Sequence, residues 1–254
     1  MPMSLRRLHV IPDPHIPFHD RRAWALNLRV IKEVRPDICI ILGDFGDFYS
    51  ISSHQRNPKL RKLLLQDEVA AVNRELDKLD ALLPEGCKKY FIQGNHEQRL
   101  DRYIAERAPE LFGMIETAQL FKLKERGWSY TPYRMDIKIG KLYVTHDTGK
   151  AGANAHRSAE QAFGDNAIIG HTHRMALEVR GKASGMPHVC GMFGWLGDIK
   201  AAEYMHLINA RRDWTLGFGT GHMNVNGTVF LQAHPIINYT TVVDGKLYTT
   251  KGIK

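Results

Sequence analysis

The strongest constraint on this chain is a recurrence. Five times an apolar, β-like run ends in a short cluster of Asp, Asn or His. Leu5 to Ile11 empties into Asp13-Pro14-His15, and Asp37 to Leu42 into Gly43-Asp44-Phe45-Gly46-Asp47. Lys88 to Ile92 leads to Gly94-Asn95-His96-Glu97, Leu142 to Thr145 to His146-Asp147, and Ala167 to Ile169 to Gly170-His171-Thr172-His173. An α/β fold displays chemistry where strands end, because the strand is rigid and the following loop is accessible. The five clusters can share one site only if their strands lie together with a common sense.

The intervening pattern supports that arrangement. Asp20 is placed to cap a helix to about Val34, so the first two strands frame a βαβ unit and pair in parallel. A leucine stripe from Pro58 to about Leu83 predicts a long helix of core-facing residues. Gln98 to about Lys124 reads as helical, broken near Pro109 and Gly113. Asp136–Ile139 and Leu142–Thr145 read as a hairpin around Gly140, followed by a helix over Lys150 to Phe163. Beyond residue 173, short strands are expected at Ala176–Arg180, Thr215–Phe218, Val225–Gln232, Tyr239–Val243 and Leu247–Thr249, with a helix over Asp198–Ala210. The second half is thus mostly antiparallel β. No linker or repeat interrupts the 254 residues, which predicts a single domain over 1–254.

Composition narrows the chemistry. The three cysteines, Cys39, Cys87 and Cys190, are far apart, which argues against a disulfide framework or a thiolate zinc site. Met1 to Val10 lacks the apolar core of a signal peptide, and Ile38–Leu42 is too short to span a bilayer. A cytoplasmic protein with no membrane partner is expected. The formal net charge of +8 is compatible with a polyanionic partner.

The clusters supply oxygen and nitrogen donors. That mixture suits Mn²⁺, Fe²⁺/Fe³⁺, Zn²⁺ or Ni²⁺ rather than the all-oxygen shell of Mg²⁺ or Ca²⁺. Pairs such as Asp13/His15 and His171/His173 would point to one side if their backbone were extended. An Asp on a turn between two ions could bridge them at roughly 3.5–4 Å.

Taken together, the five motifs resemble the calcineurin-like metallophosphoesterases, over Asp13 to His173. The resemblance implies a four-layer α-β-β-α sandwich of two mixed sheets flanked by helices. It implies two divalent metal ions, Mn²⁺ foremost, and hydrolysis of phosphate esters by a metal-bridging hydroxide without a covalent enzyme intermediate. By the same resemblance Asp13, His15, Asp44 and His173 hold one metal. Asp44, Asn95, His146 and His171 hold the other, with Asp44 as bridge. His96 lies beside the phosphate as the catalytic acid, and Asp47 orients it. Glu97 receives no role. Asp147 departs from the family's usual Gly after the fourth-motif His.

The expected substrate is a phosphodiester in DNA, RNA or a nucleotide, on the strength of the net charge and of basic residues near the motifs. These are Arg56, Arg99, Arg102, Lys150, Arg157 and Arg174, with Phe45, Tyr49 and Trp195 as stacking candidates. The alternative is a phosphomonoesterase, including a protein phosphatase; that branch typically has Asp-Arg-Gly where this chain has Asp47-Phe48-Tyr49. A third reading is a scaffold without catalysis. Gly191 to Asp198 is expected to form a flexible wall or flap of the substrate pocket, the alternative being a sheet bend with its aromatics buried. His9, His19, His54, His156, His188, His206, His222 and His234 match no motif and are read as structural.

Overall fold

The computed structural model describes residues 5–54, 60, 62–201 and 213–250. In chain order its strands are β1 (Arg6–Ile11), β2 (Ile38–Ile41), β3 (Lys88–Ile92), β4 (Trp128–Thr131), β5 (Ile137–Ile139), β6 (Leu142–Thr145), β7 (Asn166–Ile169), β8 (Met175–Arg180), β9 (His188–Phe193), β10 (Gly217–Met223), β11 (Val229–Pro235), β12 (Thr240–Val243) and β13 (Lys246–Thr249). Helices are α1 (Arg21–Val34), α2 (Leu65–Asp80), α3 (Gln98–Arg107), α4 (Thr117–Leu120) and α5 (Ala155–Phe163). One sheet has the order β11-β10-β1-β2-β3-β4, with β1 to β4 parallel and β10 and β11 antiparallel. The other has the order β5-β6-β7-β9-β8, parallel from β6 through β9. A β12–β13 hairpin is separate.

Strand alternation builds the layers. Leu8, Val10, Ile38 and Ile40 face the space between the sheets, where they meet Leu142, Val144, Ile168 and Phe193. Ile11, Cys39, Ile41 and Phe91 face the other way and pack on Trp24, Val30 and Ile31 of α1 and Leu76 and Leu79 of α2. Across the molecule α5 lays Ala155 and Ala159 on Ala167, Ile169 and Met192 of the second sheet. The result is the helix–sheet–sheet–helix sandwich. A slip of β2 by one residue would exchange its two buried faces, so packing fixes where Asp44 emerges.

Several expectations are corrected. Asp20 does cap α1, accepting from the N–H groups of Arg22 and Ala23 at 3.0 Å each. The next helix begins at Leu65 rather than Pro58; the Asp67 carboxylate accepts the Leu64 N–H at 3.1 Å and starts it there. Pro58 and Arg56 lie outside the described residues. Helix α5 begins at Ala155 rather than Lys150. Strand β4 was not anticipated, because Trp-Ser-Tyr-Thr is too short to display an alternation. Strands β10 and β11 sit later than Thr215–Phe218 and Val225–Gln232. Their turn is set by Asn224, whose side-chain oxygen accepts from Asn226 and Thr228 at 3.0 Å each. The predicted helix over Asp198–Ala210 falls mostly outside the described residues; residues 199–201 form a turn.

Candidate metal centre

The parallel order β1-β2-β3 delivers the first three motifs side by side, and β6-β7 delivers the other two from the facing sheet. Backbone hydrogen bonds then tie the motifs to each other. The His15 N–H donates to Asp44 O at 2.8 Å, the Gly170 N–H to His146 O at 3.0 Å, and the Asp47 N–H to Ile16 O at 2.9 Å.

The Asp13/His15 and His171/His173 pairs do not converge through extended backbone. Their φ angles are 38°, 54°, 66° and 56°, and Asp44 has φ 48°. These five residues occupy the left-handed region, which costs non-glycine residues roughly 1–3 kcal/mol each. Such strain persists only where packing over-determines it, and here it turns each side chain inward. Glycines permit the close approach. A Cβ on Gly170 would stand 2.7 Å from the Asp13 carboxylate, and one on Gly94 would overlap the Asp44 carboxylate.

The ligand-capable atoms form two groups that share Asp44: His15, Asp44 and His173, and Asp44, His146 and His171. His146 Nε2 lies 3.4 Å from Asp44 Oδ2 and 3.0 Å from Asn95 Oδ1, and His171 Nδ1 lies 2.7 Å from that same Asn95 oxygen. His15 Nε2 and His173 Nε2 face each other at 3.0 Å. Both oxygens of the fully buried Asp13 lack a hydrogen-bond partner, yet they lie 3.8 Å from His146 Nδ1 and 3.9 Å from His173 Nε2. A buried carboxylate without donors is costly unless a cation meets it. The donor set therefore fits two cations, with Asp44 common to both groups.

Electrostatics agree. Burial raises the Asp13 pKa well above the usual carboxylate range, with His146 opposing. Burial also works against ionised Asp44, but His146, His96 and His15 outweigh it and hold its carboxyl well below that range. Burial disfavours charge on His146, yet Asp44 and Asp13 lift its pKa to about 10, which marks a field that stabilises positive charge. The His146 Nδ1–H can donate to Leu42 O at 2.6 Å, which leaves Nε2 for the centre. Asp147, the departure from the family pattern, turns aside. It accepts the Gly149 N–H at 2.6 Å and a hydrogen bond from Tyr133.

His96 stands at the edge of this cluster. Its Nδ1 is 3.1 Å from Asp47 Oδ2, and its Nε2 is 3.9 Å from Asp44 Oδ2. Burial disfavours its charge, but Asp44 and Asp47 prevail and its pKa is raised. Asp47 serves more than His96: the same oxygen lies 3.2 Å from His15 Nδ1, and Arg99 Nη1 donates to Asp47 Oδ1 at 3.1 Å and to its carbonyl at 2.9 Å. Arg99 is thus buried and committed to Asp47, not spread on the surface.

Sequence reasoning missed Glu97. Its buried carboxylate accepts the N–H groups of Asp44 (3.0 Å), Gly46 (2.8 Å) and Gly94 (2.9 Å), riveting the second motif to the third. Burial, aided by Asp44, pushes its pKa up to about 7. In the Gly191–Asp198 stretch the structure favours the buried bend over a mobile flap. Gly191 to Phe193 belong to β9, and Trp195 is buried, stacked on the His173 ring at 4.7 Å and 14°. Trp214 closes the same ring edge-on at 4.1 Å. Trp195 and the fully buried Phe45 are walls, not stacking platforms for substrate.

The profile of the calcineurin-like phosphoesterases matches residues 6–175. The Gene 54 protein of Mycobacterium phage D29 is 28% identical over 270 residues, 96% of this chain and 98% of that protein. The Gene 54 protein of Mycobacterium phage L5 is 26% identical over 271 residues, with the same coverage. Among solved structures, a single mutant of Vps29 from Entamoeba histolytica aligns with TM-score 0.46 and 15% identity over 95% of both chains. YfcE, a phosphoesterase from E. coli, aligns with TM-score 0.40 and 14% identity over 89% of this chain and 98% of its own.

Proposed function

The chain belongs to the calcineurin-like phosphoesterase family, and within the metal-dependent hydrolysis of phosphate esters we propose that it is a phosphodiesterase acting on nucleic acid or nucleotides. We assign Asp13, His15, Asp44 and His173 to one ion and Asp44, Asn95, His146 and His171 to the other. Imidazole and oxygen donors without thiolate are compatible with Mn²⁺, Fe, Zn and Ni, and the family resemblance puts Mn²⁺ first among them. Bound there, the ion pair supplies an activated water and neutralises charge on the reacting phosphoryl group.

The chain's own residues do the rest. Asn95 lends an amide oxygen without adding charge. His96, whose protonated form Asp44 and Asp47 favour, is placed to donate a proton to the departing ester oxygen. Asp47 fixes that ring and is itself anchored by Arg99. Glu97 and the two tryptophans hold the ligand loops, so little reorganisation accompanies reaction.

One observation carries the preference for diesters over phosphoprotein monoesters. The position after Asp47, where an arginine would help to bind a dianionic monoester, is Phe48, buried against Phe121 at 5.5 Å. No helix of the described residues is long and apolar enough to cross a membrane. The three widely spaced cysteines support a reducing, cytoplasmic compartment. The test is a substrate panel with Mn²⁺-loaded protein: aryl mono- and diesters, single- and double-stranded DNA, RNA, cyclic nucleotides and a phosphopeptide. Diesters should lead in kcat/KM; a phosphopeptide or aryl monoester in first place would overturn the reading.

A further inference from the structure

Beside the metal centre lies a pocket of about 350 Å³ whose lining includes Asn95, Gln98, Arg99, Arg102, Tyr133 and Arg134. It forms because β3 and β4 are parallel neighbours and both end there. The β3 end leads into α3, whose first turns present Gln98 and Arg102 four residues apart on one face. The β4 end leads into Tyr133-Arg134. Gln93 locks the two walls together: its side-chain oxygen accepts the Tyr133 N–H at 2.9 Å, and its amide donates to Asp101 of α3 at 2.8 Å.

The charge in this pocket is one-sided. Three arginines line it and no carboxylate does. Arg99 is spent on Asp47. Arg102 and Arg134 are exposed, and among the described residues neither is paired with a carboxylate. The Arg134 guanidinium sits over the Tyr133 ring at 5.3 Å, and Tyr133 is held in turn by Asp147. Guanidinium groups of this kind match phosphate oxygens in geometry as well as charge. Asn95 lines the pocket and faces the centre, and Arg99 lines the pocket with its Nη2 3.1 Å from His96 Nε2.

We propose that this pocket binds the phosphate adjacent to the scissile one, so that the substrate is a nucleotide or strand carrying at least two phosphates. The neighbouring phosphate enters on the His96 side and is held by Arg102 and Arg134. The inference rests on the phosphodiesterase reading above and names its substrate class.

The dinucleotide TpT and its terminally phosphorylated forms pTpT and TpTp test it. Affinity for the Mn²⁺-loaded protein is measured by calorimetry and kcat/KM by chromatography. One phosphorylated form should bind about tenfold more tightly than TpT, the worth of one or two charge-assisted hydrogen bonds. In Arg102→Ala/Arg134→Ala that ratio should collapse towards one. Arg102→Lys/Arg134→Lys should retain part of it, with thermal melting confirming that both variants fold. Equal affinity of the wild type for all three probes would overturn the proposal, as would a ratio that survives the double alanine change. Cleavage of an aryl monoester but of no dinucleotide, with the affinity ratio intact, would remove the diesterase reading and support the pocket. Dinucleotide cleavage without the ratio would do the reverse.

Discussion

Two clusters of histidine and carboxylate, one where the strand ends of the two sheets meet and one on the second sheet alone, are built on opposite principles. At the metal centre neither Asp13 nor Asp44 has an Arg or Lys partner among the described residues, and Asp44 is ringed by imidazoles. On the outer face of the second sheet, His156, Glu178 and Cys190 also bring ligand-capable atoms together, beside Glu160 and His188. There every carboxylate already has a cation. Arg157 Nε meets Glu178 at 2.6 Å, Arg180 meets Glu160 at 2.8 Å, and Lys182 reaches Glu160 as well. The backbone differs too: His156 lies in α5 and Cys190 in β9, whereas the centre's candidate donors include five left-handed residues. Proximity of ligands is therefore not enough. A cluster becomes a cation site when its carboxylates are left without fixed positive partners and its backbone is strained to aim them.

The sharpest way to break this contrast is Asp44→Asn. Loss of the shared carboxylate should abolish binding of at least one Mn²⁺ and lower kcat by roughly 10⁴-fold, consistent with several kcal/mol of charge stabilisation. Calorimetric stoichiometry that stays at two ions would remove Asp44 as the bridge. His96→Ala should cost about 10²–10⁴-fold in kcat with both ions still bound, as expected for a proton donor rather than a ligand. Metal content falling together with rate would reassign His96 to the ligand set.

Histidines without carboxylates extend the contrast. His9 is buried beside Asn27, with Nε2 2.8 Å from the amide oxygen, and burial lowers its pKa to about 4. The unfolded chain binds a proton below about pH 6.5 while the native state resists until about pH 4. This contribution to stability is complete above pH 6.5 and is lost as pH falls towards 4. The loss should reach on the order of 3 kcal/mol, from a shift of about two and a half pKa units. Urea midpoints of His9→Gln against pH should be flatter over that window; an unchanged slope would place the acid sensitivity elsewhere. The smallest effect is expected in the paired cluster. Glu160→Ala should cost about 2 kcal/mol, below the usual penalty for a buried pair because Arg180 and Lys182 keep partial access to water. Mn²⁺ stoichiometry should not change; a lost ion would make the outer cluster a metal site after all.

Much of the centre was legible because its signal is local. A buried strand followed by Asp, Asn or His within a few residues is visible in one dimension, and β2 and β3 end where that pattern says. The Asp20 cap was legible for the same reason: its partners are two and three residues away. Glu97 was not, since two of its three partners, Asp44 and Gly46, are about fifty residues distant and connect through backbone amides that any sequence possesses. Tyr133 and Arg134 were invisible as pocket residues because β4 carries no periodicity, and only its pairing with β3 brings them to Asn95.

The donors, their order and the chemistry their types permit are written in short segments, because side-chain identity and strand-end position are local properties. How they meet is a property of the assembled fold. It replaced the expected extended pairs with left-handed turns, buried Trp195 against His173, and committed Arg99 to Asp47. It left Arg102 and Arg134 facing an open pocket. Those outcomes depend on parallel strand order and on which charges find partners across the fold, and neither is encoded within the reach of a single motif.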